Sequence, residues 1–385
     1  MNTKFSLTAQ FHSLLCLCAA ALLSTLLICC NDNAPTHQGQ PNTPEDKDPN
    51  DKDPNDKDPN DKDPNDTCDS RSSAIEWHPC TNAGSPSTTK ERWNHTRSAI
   101  IAALDAKHRG IDTIVNPGQD QTLIGKFVYG PLDKDLKREK VEVWIEVACG
   151  NWQLFGSANT TEDGDHPAVD GIKDDGGRIF FSIPAGKRLP IGSYRVKMIV
   201  KGDLTEANFW LHVWAPGTRV VISDIDGTIT TRENDGAWTI FDPASPTPRA
   251  GSAATFHAYA AKGYRILYVT ARPEFVLNGT RKWFANNGFP QGIFHLSEKD
   301  TGEIFGSGAQ AYKSAYFKWL AQSRGLAIEW VYGNKESDLD AYLSAGVPAD
   351  RIRLVAGEYA GDLKGSTMFS DYIPESERVA CLPPL

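Results

Sequence analysis

Two aspartates stand one residue apart at the end of an apolar run. Asp224 and Asp226 follow residues 220–223, and Gly227 after them leaves the backbone free to turn. One carboxylate of such a pair can attack the phosphorus of a phosphomonoester and form an aspartyl-phosphate. The second can protonate the departing oxygen and then deprotonate the water that hydrolyses the intermediate. The spacing predicts a phosphatase with Asp224 as nucleophile and Asp226 as acid and base; the alternative is a carboxylate pair that caps a turn.

Oxygen ligands for a cation follow a later apolar run. Asn334 and Asp338 come just after residues 329–332, and they carry the amide and carboxylate oxygens that Mg²⁺ prefers. Because a phosphate dianion repels an attacking carboxylate, a Mg²⁺ between the two would offset the charge. The predicted Mg²⁺ ligands are Asp224, the backbone carbonyl of Asp226, Asn334 and Asp338.

A further strand end offers groups that can hold the phosphate of a substrate. Thr270 and Arg272 follow residues 265–269. A hydroxyl, a guanidinium and the adjacent backbone N–H groups all donate hydrogen bonds to phosphate oxygens. We therefore predict that Thr270 and Arg272 bind the substrate together with the turn at Gly227. The alternative is a threonine that faces the core.

These candidate residues fall at the ends of predicted strands. From residue 216 onward, short β-branched or aromatic runs predict strands at 220–225, 265–269, 293–296, 329–332 and 351–355. The stretches between them predict helices at 252–262, 276–287, 312–323 and 337–344. This alternation predicts an α/β domain over residues 216–385 with a doubly wound parallel sheet. Such sheets bind ligands at the carboxyl ends of their strands, where the candidate residues lie.

The preceding residues, 122–215, alternate apolar and polar side chains, which predicts a small β-sandwich of the immunoglobulin-like kind. Its predicted strands are 141–147, 178–183, 193–200 and 207–213. An acidic loop within it contains Asp163, Asp165, Asp170, Asp174 and Asp175. Its spacing fits no EF-hand, so a solvated loop is favoured over a Ca²⁺ site. Residues 68–121 are predicted to be a polar lead-in with one helix, 92–107, that serves packing.

The amino-terminal residues predict export and anchoring. A single lysine precedes the apolar run 14–28, which is shorter than a membrane span and predicts a signal peptide over residues 1–29. The run ends at 27–30 in Leu-Ile-Cys-Cys, which resembles a bacterial lipobox and predicts lipid on Cys30, although Cys29 stands where a small residue is usual. A plain cleaved signal and an uncleaved anchor are the alternatives. The predicted location is a membrane-anchored lipoprotein that faces the periplasm or the cell exterior.

Residues 30–67 are predicted to be a linker, in which Asp-Lys-Asp-Pro-Asn occurs four times in tandem. With a proline in each copy and no apolar side chain, the repeat predicts a disordered, extended spacer. Residues 45–66 hold ten acidic residues and four lysines, so they carry six of the nine net negative charges of the chain. The remainder has no basic stripe, so we expect no nucleic acid as a partner, and no protein partner can be identified.

Four cysteines lie beyond the signal region: Cys68, Cys80, Cys149 and Cys381. An even number in a chain predicted to be exported indicates two disulfides. Three pairings are open, and joining the nearest two, Cys68 and Cys80, leaves Cys149 with Cys381. A metal site is the alternative.

The segments that carry the candidate residues resemble, in the same order, the catalytic domain of the lipin-type phosphatidate phosphatases. Residues 221–230, Val-Ile-Ser-Asp-Ile-Asp-Gly-Thr-Ile-Thr, look like their nucleophile strand and contain the Asp-x-Asp-x-Thr signature of the haloacid dehalogenase superfamily. Residues 263–272 look like the lipin strand that ends in Ser-Ala-Arg, with Thr in place of Ser. Residues 333–338 and 346–352 complete the series. The resemblance covers residues 219–357, under half of the chain.

The resemblance implies roles that the spacing does not supply. Thr228 would orient Asp226 by a hydrogen bond. Lys313 would bridge the nucleophile and the phosphate, with a surface position as the alternative for a single lysine. The fold would be that of the haloacid dehalogenases, and the cofactor would be Mg²⁺.

The short connections of the α/β domain bear on the substrate. About 40 residues separate Thr228 from Thr270, and about 40 separate Arg272 from Lys313, which leaves no room for a large cap beside the helices. An open site suits a headgroup at a membrane surface or a macromolecule, whereas small metabolites need enclosure.

Aromatic residues near the nucleophile strand could form a lip that touches lipid. They lie within residues 231–248 and include Trp238, Ile240 and Phe241, for which packing against the domain is favoured.

Three functional hypotheses remain open. The leading one is hydrolysis of phosphatidic acid, a phospholipid substrate at a membrane surface, to diacylglycerol and phosphate. The second is a module that binds phosphatidic acid without catalysis, as lipin-like domains of phosphatidylinositol transfer proteins do; the presence of both Asp224 and Asp226 argues against it. The third is a phosphatase for another exposed phosphomonoester.

Overall fold

The computed structural model describes residues 84–231, 246–298, 307–357 and 359–385. The predicted signal peptide, the lipidation site Cys30 and the repeat linker lie outside the described residues, as do Cys68 and Cys80. The aromatic residues of the suggested lip, Trp238, Ile240 and Phe241, also lie outside them. Cys149 and Cys381 are both disulfide-bonded, as the prediction of two disulfides requires.

Ten strands form the first domain, a β-sandwich. They are β1 Arg109–Ile111, β2 Thr113–Val115, β3 Thr122–Lys126, β4 Val128–Tyr129, β5 Lys134–Asp135, β6 Lys140–Ala148, β7 Asn151–Asn159, β8 Arg178–Ser182, β9 Gly192–Val200 and β10 Glu206–Val213. One sheet has the order β1-β3-β8, the other has the order β2-β10-β9-β6-β7, and β4 pairs with β5. Leu123, Val143 and Leu211 are fully buried among the apolar residues that fill the interior.

Two features of the sandwich differ from the expectation. Strands β1 and β2 lie in residues 68–121, so the predicted lead-in supplies a strand to each sheet. Strand β7 has only one buried residue, Phe155, because it is the edge strand of its sheet, and its sequence therefore lacks the alternation that marks a strand.

The helix expected at 92–107 is shorter in the structure. Helix α1 covers Thr96–Ile101. Ile101 packs against the sandwich core, whereas Ile100 and Leu104 are exposed. The helical spacing of apolar residues was therefore a poor guide here, because only one of the three reaches the core.

The second domain is built on six parallel strands: β11 Arg219–Ser223, β12 Arg265–Pro273, β13 Ile293–Ser297, β14 Ala327–Gly333, β15 Ile352–Val355 and β16 Thr367–Phe369. Their order in the sheet is β13-β12-β11-β14-β15-β16. Strand β11 therefore lies between β12 and β14, the two strands that lead into the other candidate residues. Val220 and Ile222 pack into one core and Val221 into another, as expected for a sheet covered on both faces.

The helices of this domain are α2 Ser252–Ala261, α3 Leu277–Asn286, α4 Ser307–Lys318, α5 Glu336–Ser344 and α6 Tyr372–Ala380. Helix α4 continues as a π-helical turn, Trp319–Ser323. The predicted order, a β-sandwich followed by an α/β domain with a parallel sheet, is confirmed. The immunoglobulin-like character of the sandwich and the uncapped haloacid dehalogenase fold of the α/β domain stay predictions.

Candidate active site

The predicted nucleophile lies at the carboxyl end of the central strand. The Asp224 N–H donates to the carbonyl of Tyr332 at 3.0 Å, so the residue still belongs to the sheet beyond β11. Its side chain is 7% exposed. Gly227, three residues later, has φ +72°, in the left-handed region that favours glycine, and the chain turns there. The carbonyl of Gly227 accepts a hydrogen bond from Arg249 Nη2 at 2.9 Å, which fastens the loop.

Lys313 on helix α4 joins two carboxylates. Its Nζ lies 2.6 Å from Asp224 Oδ1 and 2.7 Å from Asp338 Oδ1. Burial raises the pKa of Asp224 to about 7; Lys313 opposes the rise, and the charges of Asp338 and Asp226 add to it. Burial acts to lower the pKa of Lys313, but Asp224 and Asp338 together raise it above its usual value. The ammonium is therefore charged and is shared between the predicted nucleophile and a predicted metal ligand.

Asp338 is held in place by the start of helix α5. Its Oδ2 accepts hydrogen bonds from the backbone N–H of Asn334 at 3.1 Å and of Lys335 at 3.2 Å, which satisfies donors at the helix N-terminus. The residue before Asn334 must be glycine, because a Cβ on Gly333 would lie 2.6 Å from Asp338 Cβ. Asp338 thus orients Lys313 as well as offering oxygen to a cation.

The hydroxyl of Thr228 corrects one implied role. Thr228 Oγ1 lies 3.3 Å from Asp224 Oδ2 and 3.2 Å from Asn334 Oδ1, and these, not Asp226, are its side-chain partners in the described part of the chain. The reason is the turn at Gly227, which brings Thr228 back toward the strand end while the carboxyl of Asp226 points away. Orientation of Asp226 by Thr228 was therefore a wrong expectation.

Asp226 is instead held by the two residues predicted to bind phosphate. Arg272 Nε lies 2.9 Å from Asp226 Oδ2 and Arg272 Nη2 lies 2.6 Å from Oδ1, a two-point pairing of guanidinium and carboxylate. Thr270 Oγ1 donates to Asp226 Oδ2 at 3.2 Å. The structure therefore brings Thr270, Arg272 and Asp226 together, but it pairs the expected phosphate ligands with the expected acid and base.

The oxygens around Asp224 fit a hard divalent cation. Asp224 Oδ2 and Asn334 Oδ1 converge on one hydroxyl, Thr228 Oγ1, which can donate to only one of them at a time. Carboxylate and amide oxygens are the donor set of Mg²⁺. Among the residues described, no three His, Cys, Asp or Glu side chains form a metal-binding group. A Mg²⁺ here would therefore depend on Asn334 and backbone oxygen as well as carboxylates.

One residue that the sequence interpretation missed, Glu274, lies two positions after Arg272. Glu274 Oε1 accepts from Arg109 Nη2 at 3.0 Å and from Arg178 Nη2 at 2.8 Å. Both arginines belong to the sandwich and are buried. The end of strand β12, which carries Arg272, is thus tied to the first domain. No local pattern could reveal this contact, because the partners are 165 and 96 residues from Glu274 in the sequence.

Comparison with known proteins relates both domains to a single family. Residues 221–356 match the family model described as "PITM 1-3, LNS2 domain". Residues 106–213 match the model described as "PITM 1-3, beta-sandwich domain". The second match begins before residue 109, in agreement with the placement of β1 and β2 in the sandwich.

Curated relatives match along most of this chain. Protein retinal degeneration B of Drosophila melanogaster is 31% identical over 74% of this chain and 21% of its own length. Membrane-associated phosphatidylinositol transfer protein 1 of Homo sapiens is 31% identical over 70% of this chain and 20% of its own length. Protein 3 of the same name from Mus musculus is 30% identical over 70% of this chain and 26% of its own length. The chain therefore spans about a fifth to a quarter of these relatives.

The relatives overturn the predicted location. They are membrane-associated proteins of animals, so the expectation of an exported bacterial lipoprotein was wrong. The misleading signal was the Leu-Ile-Cys-Cys ending of the apolar run, a four-residue pattern with one position already unusual.

Within the four described segments, no helix has both the length and the apolar character needed to cross a bilayer.

Similarity to solved structures is low. A class C acid phosphatase from Bacillus anthracis with tungstate bound matches at a TM-score of 0.25 and 18% identity, over 32% of this chain and 54% of that chain.

Proposed function

We propose that this chain, whose two described domains belong to the PITM/LNS2 domain family, is a Mg²⁺-dependent phosphatase that acts on phosphatidic acid at a membrane surface. The observation that carries the proposal is the 2.6 Å contact between Lys313 Nζ and the buried Asp224, with a second carboxylate, Asp226, two residues along. A carboxylate held by a lysine at a strand end is suited to attack a phosphate that the same lysine can bind. The products would be diacylglycerol and inorganic phosphate.

In the first step, one oxygen of Asp224 attacks phosphorus and forms the aspartyl-phosphate. The bond between phosphorus and the glycerol oxygen breaks, and Asp226 protonates that oxygen as it leaves. Lys313 lies where its charge offsets that of the transferred phosphoryl group. Asp338 keeps Lys313 in place because it contacts the same Nζ at 2.7 Å.

In the second step, Asp226 removes a proton from the attacking water, and phosphate departs from Asp224. Asp226 can carry a proton only when one of its oxygens is released from Arg272, which contacts both. The N–H groups so released on Arg272 would donate to the phosphate or to the ester oxygens. Exchange of Arg272 from Asp226 to the substrate therefore couples substrate binding to the protonation of the acid.

A bound Mg²⁺ would offset the negative charge of the phosphate and of Asp224. The oxygens of Asp224, Asn334 and Asp338 and the backbone carbonyl of Asp226 would hold it. Asn334 and Asp338 are each 1% exposed, so they would bind the ion without rearrangement of a mobile surface chain.

The lipid substrate is supported by the relatives rather than by the chemistry of the site. The names of the human and mouse relatives describe phosphatidylinositol transfer and membrane association, and each described domain matches a model of the PITM 1-3 family. Asp224, Asp226 and Lys313 would serve any phosphomonoester that reaches them. The choice of phosphatidic acid is therefore the part of the proposal that experiment must test separately.

One observation favours a second function, binding of phosphatidic acid without hydrolysis. Arg272 contacts both oxygens of Asp226, and an acid held in this way gives no proton to a leaving group. The names of the human and mouse relatives also describe lipid transfer rather than catalysis. If Arg272 does not move when lipid binds, the site is a receptor for a phosphate headgroup.

The decisive experiment measures phosphate release from phosphatidic acid in mixed micelles by the full chain, with and without Mg²⁺. The phosphatase proposal predicts Mg²⁺-dependent release that Asp224→Asn reduces at least about 10³-fold. Glu336→Gln is the matched control. Glu336 is an exposed carboxylate just after β14, the strand next to β11, and its substitution should leave the rate unchanged.

A parallel flotation assay with vesicles that contain phosphatidic acid separates the two functions. Binding by the wild type, without release of phosphate and without an effect of Asp224→Asn, would identify the binding module. Release from a soluble aryl phosphate alone would keep the mechanism and discard the lipid substrate.

A further inference from the structure

A cleft lies between the sandwich and the α/β domain, apart from the carboxylates of the active site. Its volume is ≈ 490 Å³, within the range of pockets that hold small ligands. One wall belongs to the sandwich and the other to β13 and helix α4. Helix α4 also carries Lys313, whose side chain faces Asp224 and not the cleft.

The wall on the α/β side is a column of stacked rings. His295 lies between Tyr312, at 5.3 Å between ring centroids, and Tyr316, at 3.4 Å, with both pairs nearly parallel. Trp319 continues the column at 5.6 Å from Tyr316, and the guanidinium of Arg324 lies 4.4 Å over its ring. Burial lowers the pKa of His295 to about 3, so this ring carries no charge at neutral pH. The column therefore offers the cleft an uncharged wall.

The wall on the sandwich side is aliphatic. Four isoleucines line it: Ile111, Ile114, Ile124 and Ile172. They come from three separate segments that the sandwich brings together. Branched aliphatic groups that face a ring column favour an apolar occupant, because polar groups of a ligand would find few partners there.

The residues with ionised side chains that line the cleft are acidic. Asp112 is paired with Arg281 at 2.8 Å, and Asp170 is paired with Arg324 at 2.8 Å. Glu298 accepts a hydrogen bond from the Lys173 N–H at 3.1 Å.

In this part of the described chain, no lysine or arginine belongs to the cleft lining. An anionic headgroup would therefore meet carboxylates, and the arginines beside them, Arg281 and Arg324, are already paired with Asp112 and Asp170. An uncharged headgroup would meet acceptors for its hydroxyl groups.

We propose that this cleft binds an acyl chain carried on an uncharged headgroup, such as a monoacylglycerol. The chain would lie between the ring column and the isoleucine wall, and the hydroxyl groups of the head would face Glu298 and Asp170. The site is separate from the active site, and the proposal does not depend on phosphatase activity.

Ala315 allows a direct test, because it lines the cleft and its side chain is exposed at the surface of α4. Ala315→Trp should fill the space without disturbing the core. Ala311→Trp makes the same substitution at an exposed position one turn earlier on α4, outside the lining, and serves as the matched control. Thr122→Trp narrows the cleft from the sandwich side and replaces Ala315→Trp if that variant does not fold.

The probes are monocaprin, monooctanoin and decanoate, titrated calorimetrically into the full chain below their critical micelle concentrations. We expect monocaprin to bind with a stoichiometry of one, and monooctanoin to bind roughly tenfold more weakly because two buried methylenes are lost. Decanoate should bind at least fivefold more weakly than monocaprin because its carboxylate meets the acidic residues. Ala315→Trp should weaken monocaprin at least tenfold, and Ala311→Trp should not.

Three results would overturn the proposal. One is the absence of saturable binding of monocaprin by the wild type. Another is equal affinity of Ala315→Trp, Thr122→Trp and the wild type, with unchanged melting temperatures. The third is decanoate that binds as tightly as monocaprin, which would mean that the acidic lining does not select the headgroup.

Discussion

Two clusters of buried charge lie at opposite ends of one short segment, and their surroundings shift the pKa of a carboxylate in opposite directions. At Arg272 the segment joins the catalytic cluster, in which Asp224, Asp226 and Asp338 share the two cations Arg272 and Lys313. Burial and the neighbouring carboxylates leave the pKa of Asp224 raised to about 7 despite Lys313. The predicted nucleophile is therefore short of positive charge, which a ligand such as Mg²⁺ would supply.

Two residues later, the Glu274 cluster keeps Asp175 charged, because burial acts to raise the pKa of Asp175 but Arg178 and Lys126 lower it below its usual value. The carboxylate of Glu274 contacts both Arg109 and Arg178, and these arginines have further partners in Asp133 and Asp175. Burial acts to lower the pKa of Arg178, yet Glu274 and Asp175 raise it above its usual value. The catalytic cluster, with a carboxylate whose pKa is raised, is suited to bind a cation and react, whereas the Glu274 cluster holds the sandwich against the end of β12.

The largest effect is expected from breaking the catalytic cluster at its shared cation. Lys313→Gln removes the charge that contacts Asp224 and Asp338, so phosphate release should fall at least about 10³-fold. The measurement is the initial rate in mixed micelles, with Lys318→Gln as the control, because Lys318 is exposed on the same helix. A variant with wild-type rate would remove Lys313 from the mechanism.

Breaking the Glu274 cluster should cost stability instead. Glu274→Ala leaves Arg109 and Arg178 buried without their shared carboxylate, and we expect a loss of about 3–5 kcal/mol in the free energy of unfolding by urea. Glu329→Ala is the control, because Glu329 also pairs with two arginines, Arg219 and Arg351, but at the surface. Its cost should be at most about 1 kcal/mol. Equal losses of unfolding free energy in the two variants would contradict the stabilising role of the Glu274 cluster.

Acid should weaken the sandwich through His108, beside Arg109. Burial lowers the pKa of His108 to about 4, and its Nδ1 accepts from the Val128 N–H. The unfolded chain takes up the proton near pH 6.5, so stability is full above that pH and is lost as the pH falls toward 4. We expect this loss to be on the order of 3 kcal/mol smaller in His108→Gln. Urea unfolding at pH 7 and pH 4 measures the loss of stability in the wild type and in His108→Gln. Equal losses in the two proteins would exclude His108 as the cause of the acid sensitivity.

The smallest effect concerns Thr228, whose contacts distinguish two roles. Thr228→Val keeps the shape but removes the hydroxyl between Asp224 and Asn334, and we expect about a tenfold loss of rate. If the hydroxyl organises the oxygens that hold Mg²⁺, the Mg²⁺ concentration for half-maximal rate should rise. A changed pH profile with an unchanged Mg²⁺ requirement would restore the role implied by the lipin resemblance, orientation of Asp226.

The strands that carry the candidate residues could be predicted because their signals are local. The predicted strands 220–225 and 265–269 contain apolar runs followed by polar residues, and the structure has strands at Arg219–Ser223 and Arg265–Pro273. Edge strand β7 was not predicted, since its exposed side chains leave little alternation in the sequence. Helix α1 was predicted too long, because Ile100 and Leu104 recur at helical spacing although both are exposed. The lipobox-like ending misled for a related reason: a short pattern carries little information without its context.

By itself, the sequence determined which chemical groups meet at the end of the parallel sheet. Strand periodicity fixes where a chain segment ends, and parallel strands bring their carboxyl ends to one edge. Only the tertiary structure decided how the groups pair, because pairing depends on side-chain directions and on residues distant in the chain.

Three contacts illustrate the difference. Arg272 forms an ion pair with Asp226, the hydroxyl of Thr228 lies beside the amide oxygen of Asn334, and two sandwich arginines form ion pairs with Glu274. The cleft between the two domains arises in the same way, from surfaces that no single stretch of sequence contains.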